Sequence, residues 1–180
     1  MDMFRLNFFM TAGAEDPVAW LDKDSYLVFD AGKGGRGAPS WSKVAARTGA
    51  RESYLDKAAL LASLGSGIDA GTLANPAAWL WNDEHTRFVL NVGGDLYSSA
   101  LDGKAVQLTE TPEEEEVGVR FSPDGNSVAF IANYNLHVVP AIGGEVRALT
   151  TEGHSDLFYG RLDWVYQEEL YGRGNFQGYW

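Results

Sequence analysis

A chain of 180 residues, 45% of them hydrophobic, is long enough to bury one sizeable core. Its 14 basic and 25 acidic side chains leave a net charge of −11, which excludes nucleic acid and anionic lipid as natural partners, since both are met by cationic surfaces. Cysteine is absent, which excludes disulfides and thiolate metal sites, and no apolar run reaches the roughly 18 residues of a membrane span. In chain order, residues 1–14 form an uncertain start. Leu6-Asn7-Phe8-Phe9-Met10 followed by Ala12-Gly13-Ala14 has the outline of a signal peptide, interrupted by Asn7. That outline tilts the expected compartment slightly towards periplasmic or extracellular.

From residue 15 onward the chain repeats. Trp20-Leu-Asp-Lys-Asp-Ser-Tyr-Leu-Val-Phe29 aligns without gaps on Trp81-Asn-Asp-Glu-His-Thr-Arg-Phe-Val-Leu90, and again on Phe121-Ser-Pro-Asp-Gly-Asn-Ser-Val-Ala-Phe130. The last two copies lie 40 residues apart and stay in register through Gly103 over Gly143 and Leu108-Thr109 over Leu149-Thr150. A period of roughly 40–45 residues is that of one propeller blade. Within a copy, an aromatic ends one strand, a turn rich in Asp and Gly follows, and an apolar strand, an alternating strand and an outer strand complete a small antiparallel sheet. Such a sheet cannot bury both its faces alone and needs neighbours. The expectation is an all-β, partial β-propeller: about three four-stranded blades of an expected eight, with starts near 20, 81, 121 and 180.

Two insertions break the period. The first contains Arg51–Leu64, where Tyr54, Leu55, Ala58, Leu61 and Leu64 recur at helical spacing and Gly65 offers a stop, predicting a short inserted helix. Ahead of it, residues 30–40 read as a Gly-rich loop. Its Gly32–Gly37 portion lacks the G-K-[ST] ending of a phosphate loop. The second insertion follows Thr150 and holds Asp163-Trp-Val-Tyr-Gln-Glu-Glu-Leu-Tyr-Gly172. The Glu113–Glu116 run predicts an exposed, self-repelling loop. His85, His137 and His154 lack metal-ligand spacing, so no metal and no cofactor is expected. No G-x-S-x-G elbow occurs, so no catalytic residue is assigned.

Asp163 to Trp180, together with the S-P-D-G blade before it, closely resembles the double-glutamate stretch of the dipeptidyl peptidase IV group, within the prolyl-oligopeptidase-type serine peptidases. The resemblance is strong over residues 79–180. It implies the N-terminal β-propeller of a peptidase that releases N-terminal dipeptides, with an α/β-hydrolase domain outside this chain carrying the catalytic triad. It also implies that Glu168 and Glu169 hold the substrate α-ammonium, with peptides bearing a free N-terminus and the hydrolase domain as partners, and it leaves homodimerisation open. For both carboxylates to reach one ammonium, Tyr166–Leu170 has to form a helical turn or tight bend, because adjacent strand residues point to opposite faces. Two departures stand out. Gln167 replaces the first Glu of the family's triplet, and Thr111 stands where the family has an Arg that contacts the substrate carbonyl; Arg120 and Arg161 are the nearby arginines. The alternative is a non-catalytic TolB-like propeller, a protein-binding module in which the paired glutamates serve an interface.

Overall fold

The computed structural model describes residues 17–30, 39–65, 70–111, 115–170 and 176–179. The signal-like start, the Gly32–Gly37 stretch, Glu113, Glu114 and the blade start at Trp180 lie outside the described residues.

Among the described residues, three four-stranded antiparallel sheets follow one another along the chain, as the repeat requires. The first comprises β1 (Ala19–Trp20), β2 (Ser25–Asp30), β3 (Ser40–Ala45) and β4 (Arg51–Ser53). The second comprises β5 (Leu80–Trp81), β6 (Arg87–Val92), β7 (Asp95–Ala100) and β8 (Val106–Gln107). The third comprises β9 (Val117–Phe121), β10 (Ser127–Ala132), β11 (Asn135–Pro140) and β12 (Arg147–Ala148). Each is a meander in which every strand pairs with the next, the arrangement of a propeller blade.

Pleat alternation assigns each apolar side chain to one of two inter-blade cores. Phe88, Leu90 and Val92 face the first blade and pack with Leu27, Trp41 and Trp79. Val89 points the other way, joining Leu96, Leu108, Val128, Phe130 and Val139 in the second core. A strand that is apolar on both faces is therefore a strand with a blade on each side.

This geometry corrects the repeat at one point. Trp81 pairs with Phe88, and Phe121 with Val128, seven residues on in each case. Trp20 pairs with Tyr26, only six residues on. The ungapped alignment is thus one residue out after the first turn, so that Tyr26, not Leu27, is the counterpart of Phe88. A one-residue slip exchanges the two faces of a strand. That is why Leu27 packs towards the second blade although Phe88, its partner in the ungapped alignment, packs towards the first.

The Leu-Thr pair closing each of the last two copies has a structural cause. Thr109 Oγ1 accepts the backbone N–H of Leu96 at 2.8 Å, and Thr150 Oγ1 accepts that of Leu136 at 3.0 Å. The leucines differ in setting: Leu108 is 4% exposed between two blades, whereas Leu149 is 48% exposed on the third blade, beyond which no further sheet stands among the described residues.

The inserted helix forms, but later than its apolar spacing indicates. Arg51–Ser53 pair with Ser42–Val44 and complete the first blade. Helix α1 then spans Lys57–Leu64, capped by the Asp56 carboxylate on the N–H of Ala59 and ended by Gly65 at φ 66°. Backbone pairing for a blade that needs its fourth strand outweighs helix propensity over residues 51–53. Leu55, Leu60 and Leu64 are buried, while Leu61, placed on the buried face by spacing, is 38% exposed. A second short helix, α2 (Ala70–Ala74), leads to Trp79, whose indole N–H donates to the Leu73 carbonyl at 3.2 Å. Helix α1 seats on the turn between β7 and β8, where Asp56 N–H donates to Leu101 O at 3.0 Å and Ser63 Oγ to Gly103 O at 3.0 Å.

Candidate functional site

The insertion after β12 folds back over the third blade. Asn133 and Tyr134 form the two-residue turn between β10 and β11, both with positive φ (46° and 65°). Gly93 and Gly94 fill the same place in the second blade, where the positive φ is free of strain. Tyr134 is held in this unfavourable conformation from above. Its carbonyl accepts the N–H of Tyr159 at 2.9 Å, and its ring meets Phe158 edge-on at 5.0 Å. Asn135 Oδ1 adds bonds from Gly153 N and Thr150 Oγ1. The insertion is thereby pinned to the blade before it turns.

It then makes a short antiparallel contact. Arg161 bridges Gln177, Leu162 N–H donates to Phe176 O at 2.8 Å, and Gly178 N–H donates to Gly160 O at 2.8 Å. Tyr179 continues onto β9 and β10, its single hydroxyl proton shared between the carbonyls of Gly118 and Ala129. Burial raises the Tyr179 phenol to about 12, against a smaller opposing pull from Arg120.

Between the two arms of this contact stands the motif. The Asp163 carboxylate accepts the backbone N–H groups of Val165 at 3.0 Å and Tyr166 at 3.2 Å. These are two of the donors that the start of a helix leaves without partners. Residues 164–170 are helical, and Tyr166–Leu170 takes the wide π-helical form. Neighbouring side chains on such a turn stand about 80–100° apart around its axis, against the opposite directions of a strand. Glu168 and Glu169 therefore occupy adjoining sectors of one turn, and both are exposed. The bend that the sequence requires of Tyr166–Leu170 is present, and Asp163 is the residue that starts it.

A hollow of about 570 Å³ opens beside the turn, lined by Leu157, Phe158, Trp164, Tyr166 and Phe176 with Asp163 and Arg161 at its edge. Glu168 and Glu169 follow closely on Tyr166 in the chain but do not line this hollow. Two residues carry structure that the sequence pattern does not signal. The Arg161 guanidinium lies over the Phe176 ring, 4.9 Å from its centroid, a cation–π contact across fifteen residues. Glu116 corrects the expectation of an exposed acidic loop: it is 4% exposed, and its Oε1 accepts the Thr111 hydroxyl. Thr111, whose N–H also donates to Asp95 Oδ1 at 2.7 Å, thus ties the acidic segment to β7. The histidines have local partners: His137 stacks on Phe130, His85 on Trp81, and His154 Nδ1 accepts the Asp156 N–H.

Comparison with known proteins follows the repeat and the motif. The model of the dipeptidyl peptidase IV (DPP IV) N-terminal region matches residues 77–180. Over 95 residues the chain is 33% identical to a probable dipeptidyl peptidase 4 of Aspergillus flavus, covering 52% of this chain and 12% of the relative. Over 60 residues it is 42% identical to a probable dipeptidyl-aminopeptidase B of Trichophyton verrucosum, covering 33% of this chain and 7% of the relative. The chain therefore spans a small part of these curated relatives. Among solved structures, dipeptidyl peptidase 4 of Porphyromonas gingivalis superposes with a TM-score of 0.61 at 16% identity, over 90% of this chain and 23% of that one. At that identity the likeness speaks for the propeller fold alone.

Proposed function

We propose that this chain, which belongs to the dipeptidyl peptidase IV N-terminal region family, grips the free α-ammonium of a peptide with Glu168 and Glu169 on behalf of a serine-type hydrolase domain elsewhere in the same protein. The observation that carries the reading is the Asp163-capped turn, which puts two adjacent, exposed carboxylates on one helical surface. An α-ammonium has three N–H donors, and a pair of carboxylates offers charge-assisted acceptors for them. The placement suits such a grip. The turn hangs from a rigid blade through the Tyr159–Tyr134 backbone bond, and the Leu162–Phe176 bond joins its two arms, so the acids are loop-borne but scaffold-positioned. The relatives' names supply the reaction class, release of dipeptides, and this chain's part in it is to fix where the amino end sits and so how far from that end a cutting group would reach.

The test is a comparison of Glu168→Gln and Glu169→Gln with the unaltered full-length protein, using matched peptides with free and N-acetylated amino ends. Each substitution keeps the side-chain shape and removes a charge. Loss of one charge-assisted contact of about 2 kcal/mol lowers kcat/KM for the free-amine peptide roughly 30-fold. Acetylated peptides should be poor substrates of the unaltered protein and change little in the variants. Equal turnover of free and acetylated peptides would sink the assignment.

A further inference from the structure

The third blade departs from the second at one hairpin. Strands β10 and β11 are joined by Asn133-Tyr134, with φ of 46° and 65°, where β6 and β7 are joined by Gly93-Gly94. A two-residue turn with positive φ at both positions favours Asn-Gly, because glycine takes the second position without strain. Tyr134 stands at that glycine position. A bulky residue held left-handed is costly and persists only where its surroundings over-determine it. Here those surroundings are the inserted segment. Tyr134 O accepts the Tyr159 N–H at 2.9 Å, and the Tyr134 ring meets Phe158 edge-on with centroids 5.0 Å apart. Gly153 approaches the same carbonyl so closely that an added Cβ would lie 2.4 Å from Tyr134 O. All these contacts join described residues, and none needs a face open to solvent.

This latch reaches the glutamate turn by a short route. Phe158 lines a hollow of about 390 Å³ with Tyr134, Glu115 and Arg161, and it also lines the 570 Å³ hollow with Trp164 and Tyr166. Its ring therefore stands between the Tyr134 hairpin and the first side chains of the turn. Asp163, which caps the turn, follows Tyr159 by four residues, so a fixed Tyr159 keeps the cap within about 14 Å. We propose that Tyr134 is a positioning residue for Glu168 and Glu169: held left-handed at the glycine position of its hairpin, it latches the insertion at Phe158 and Tyr159 and so fixes where the paired acids stand. The proposal rests on the reading of that turn as an amine site. Hairpin strain and acid placement are then two sides of one contact, and relieving the first loosens the second.

Tyr134→Gly and Tyr134→Phe in the full-length protein test this by hydrogen exchange, denaturant midpoints and steady-state kinetics on matched free-amine and N-acetylated peptides. Glycine relieves the left-handed conformation and removes the ring, so the midpoint should hold or rise while exchange over residues 158–170 quickens. KM for the free-amine peptide should rise roughly twofold to fivefold with kcat unchanged, the size expected when one aromatic pair is lost from the binding-competent population. Phenylalanine keeps the ring and should match the unaltered protein in all three measurements. Gly153→Ala attacks the same contact from the insertion side and should likewise quicken exchange and raise KM. Unchanged exchange over residues 158–170 in Tyr134→Gly overturns the proposal. So does an unchanged KM, whether beside faster exchange or beside a lowered midpoint, since Tyr134 then serves the fold alone. A Phe variant as impaired as the Gly one would move the effect to the hydroxyl and overturn the ring contact. Equal turnover of free and acetylated peptides by the unaltered protein refutes the amine site instead, and exchange then decides the latch by itself.

Discussion

Asp163 gives the sharpest handle on the link between local structure and binding. Its carboxylate is the acceptor for the N–H groups of Val165 and Tyr166, at 3.0 and 3.2 Å, at the head of the turn that carries Glu168 and Glu169. Asp163→Ala removes both bonds. Loss of an N-cap costs about 1 kcal/mol in typical hosts, and water replaces part of it here because Asp163 is exposed. A single turn has little cooperativity to absorb the loss, so the cost appears as a reduced population of the binding-competent turn, raising KM for a free-amine peptide by up to about fivefold. Asp163→Asn separates geometry from charge. Asn caps as well as Asp but is neutral. If the residue acts by capping, Asn behaves like the unaltered protein and only Ala raises KM. If it acts as a third negative charge near the ammonium, Asn and Ala behave alike. Steady-state KM across both variants and their free and acetylated substrates decides it. An unchanged KM in Asp163→Ala, or an Asn variant as impaired as the Ala one, would refute the capping argument.

Two further predictions concern the scaffold. At Gly103, φ is +71° and an added Cβ would lie 2.1 Å from Asp56 O and 2.7 Å from Leu60 N, so Gly103→Ala forces α1 off the second blade. The expected loss is about 2 kcal/mol or more, roughly half from the backbone conformation and the rest from displaced packing, read as a lowered midpoint in urea with little change in slope. For Tyr179, the folded-state value of about 12 lies above the ordinary 10. The neutral phenol is thus favoured in the fold, and its contribution is complete below pH 10 and lost as the pH rises from 10 towards 12. Denaturant midpoints measured across that window should fall less steeply in Tyr179→Phe than in the unaltered protein. Identical slopes would show that Tyr179 does not report on the fold.

The blades are legible in the sequence because each carries the same solution to the same problem. Leu108-Thr109 and Leu149-Thr150 recur since each threonine hydroxyl takes the N–H of a leucine on the neighbouring strand, Leu96 or Leu136. Gly103 and Gly143 recur because both have positive φ, 71° and 87°, at equivalent turns. Register is less legible. The turn after Trp20 is one residue shorter than those after Trp81 and Phe121, and nothing in the composition of Leu21–Asp24 marks a deletion; only strand pairing reveals which face Leu27 takes. Helix α1 is legible but its start is not, because residues 51–53 have a competing use as an edge strand whose pairing partner lies outside any local window.

The site divides along the same line. That Tyr166–Leu170 must bend follows once the family resemblance gives the two adjacent acids one ligand, since neighbouring strand residues point to opposite faces. That Asp163 starts the bend follows from a helix's unmet N–H groups once the turn is granted. Arg161 over Phe176 could not be read in this way, since a cation–π pair across fifteen residues has neither helical nor strand periodicity and depends on the chain returning at Gly178 to meet Gly160. Glu116 is the clearest case of composition misleading. Within a run of four acids it looks solvated, yet alternation along the approach to β9 turns it inward to the Thr111 hydroxyl while Glu115 faces the hollow beside Arg161. Charge runs indicate exposure only where the backbone is free to keep every member outside. Here a strand begins at Val117, and its pleat has already decided the direction of the residue before it.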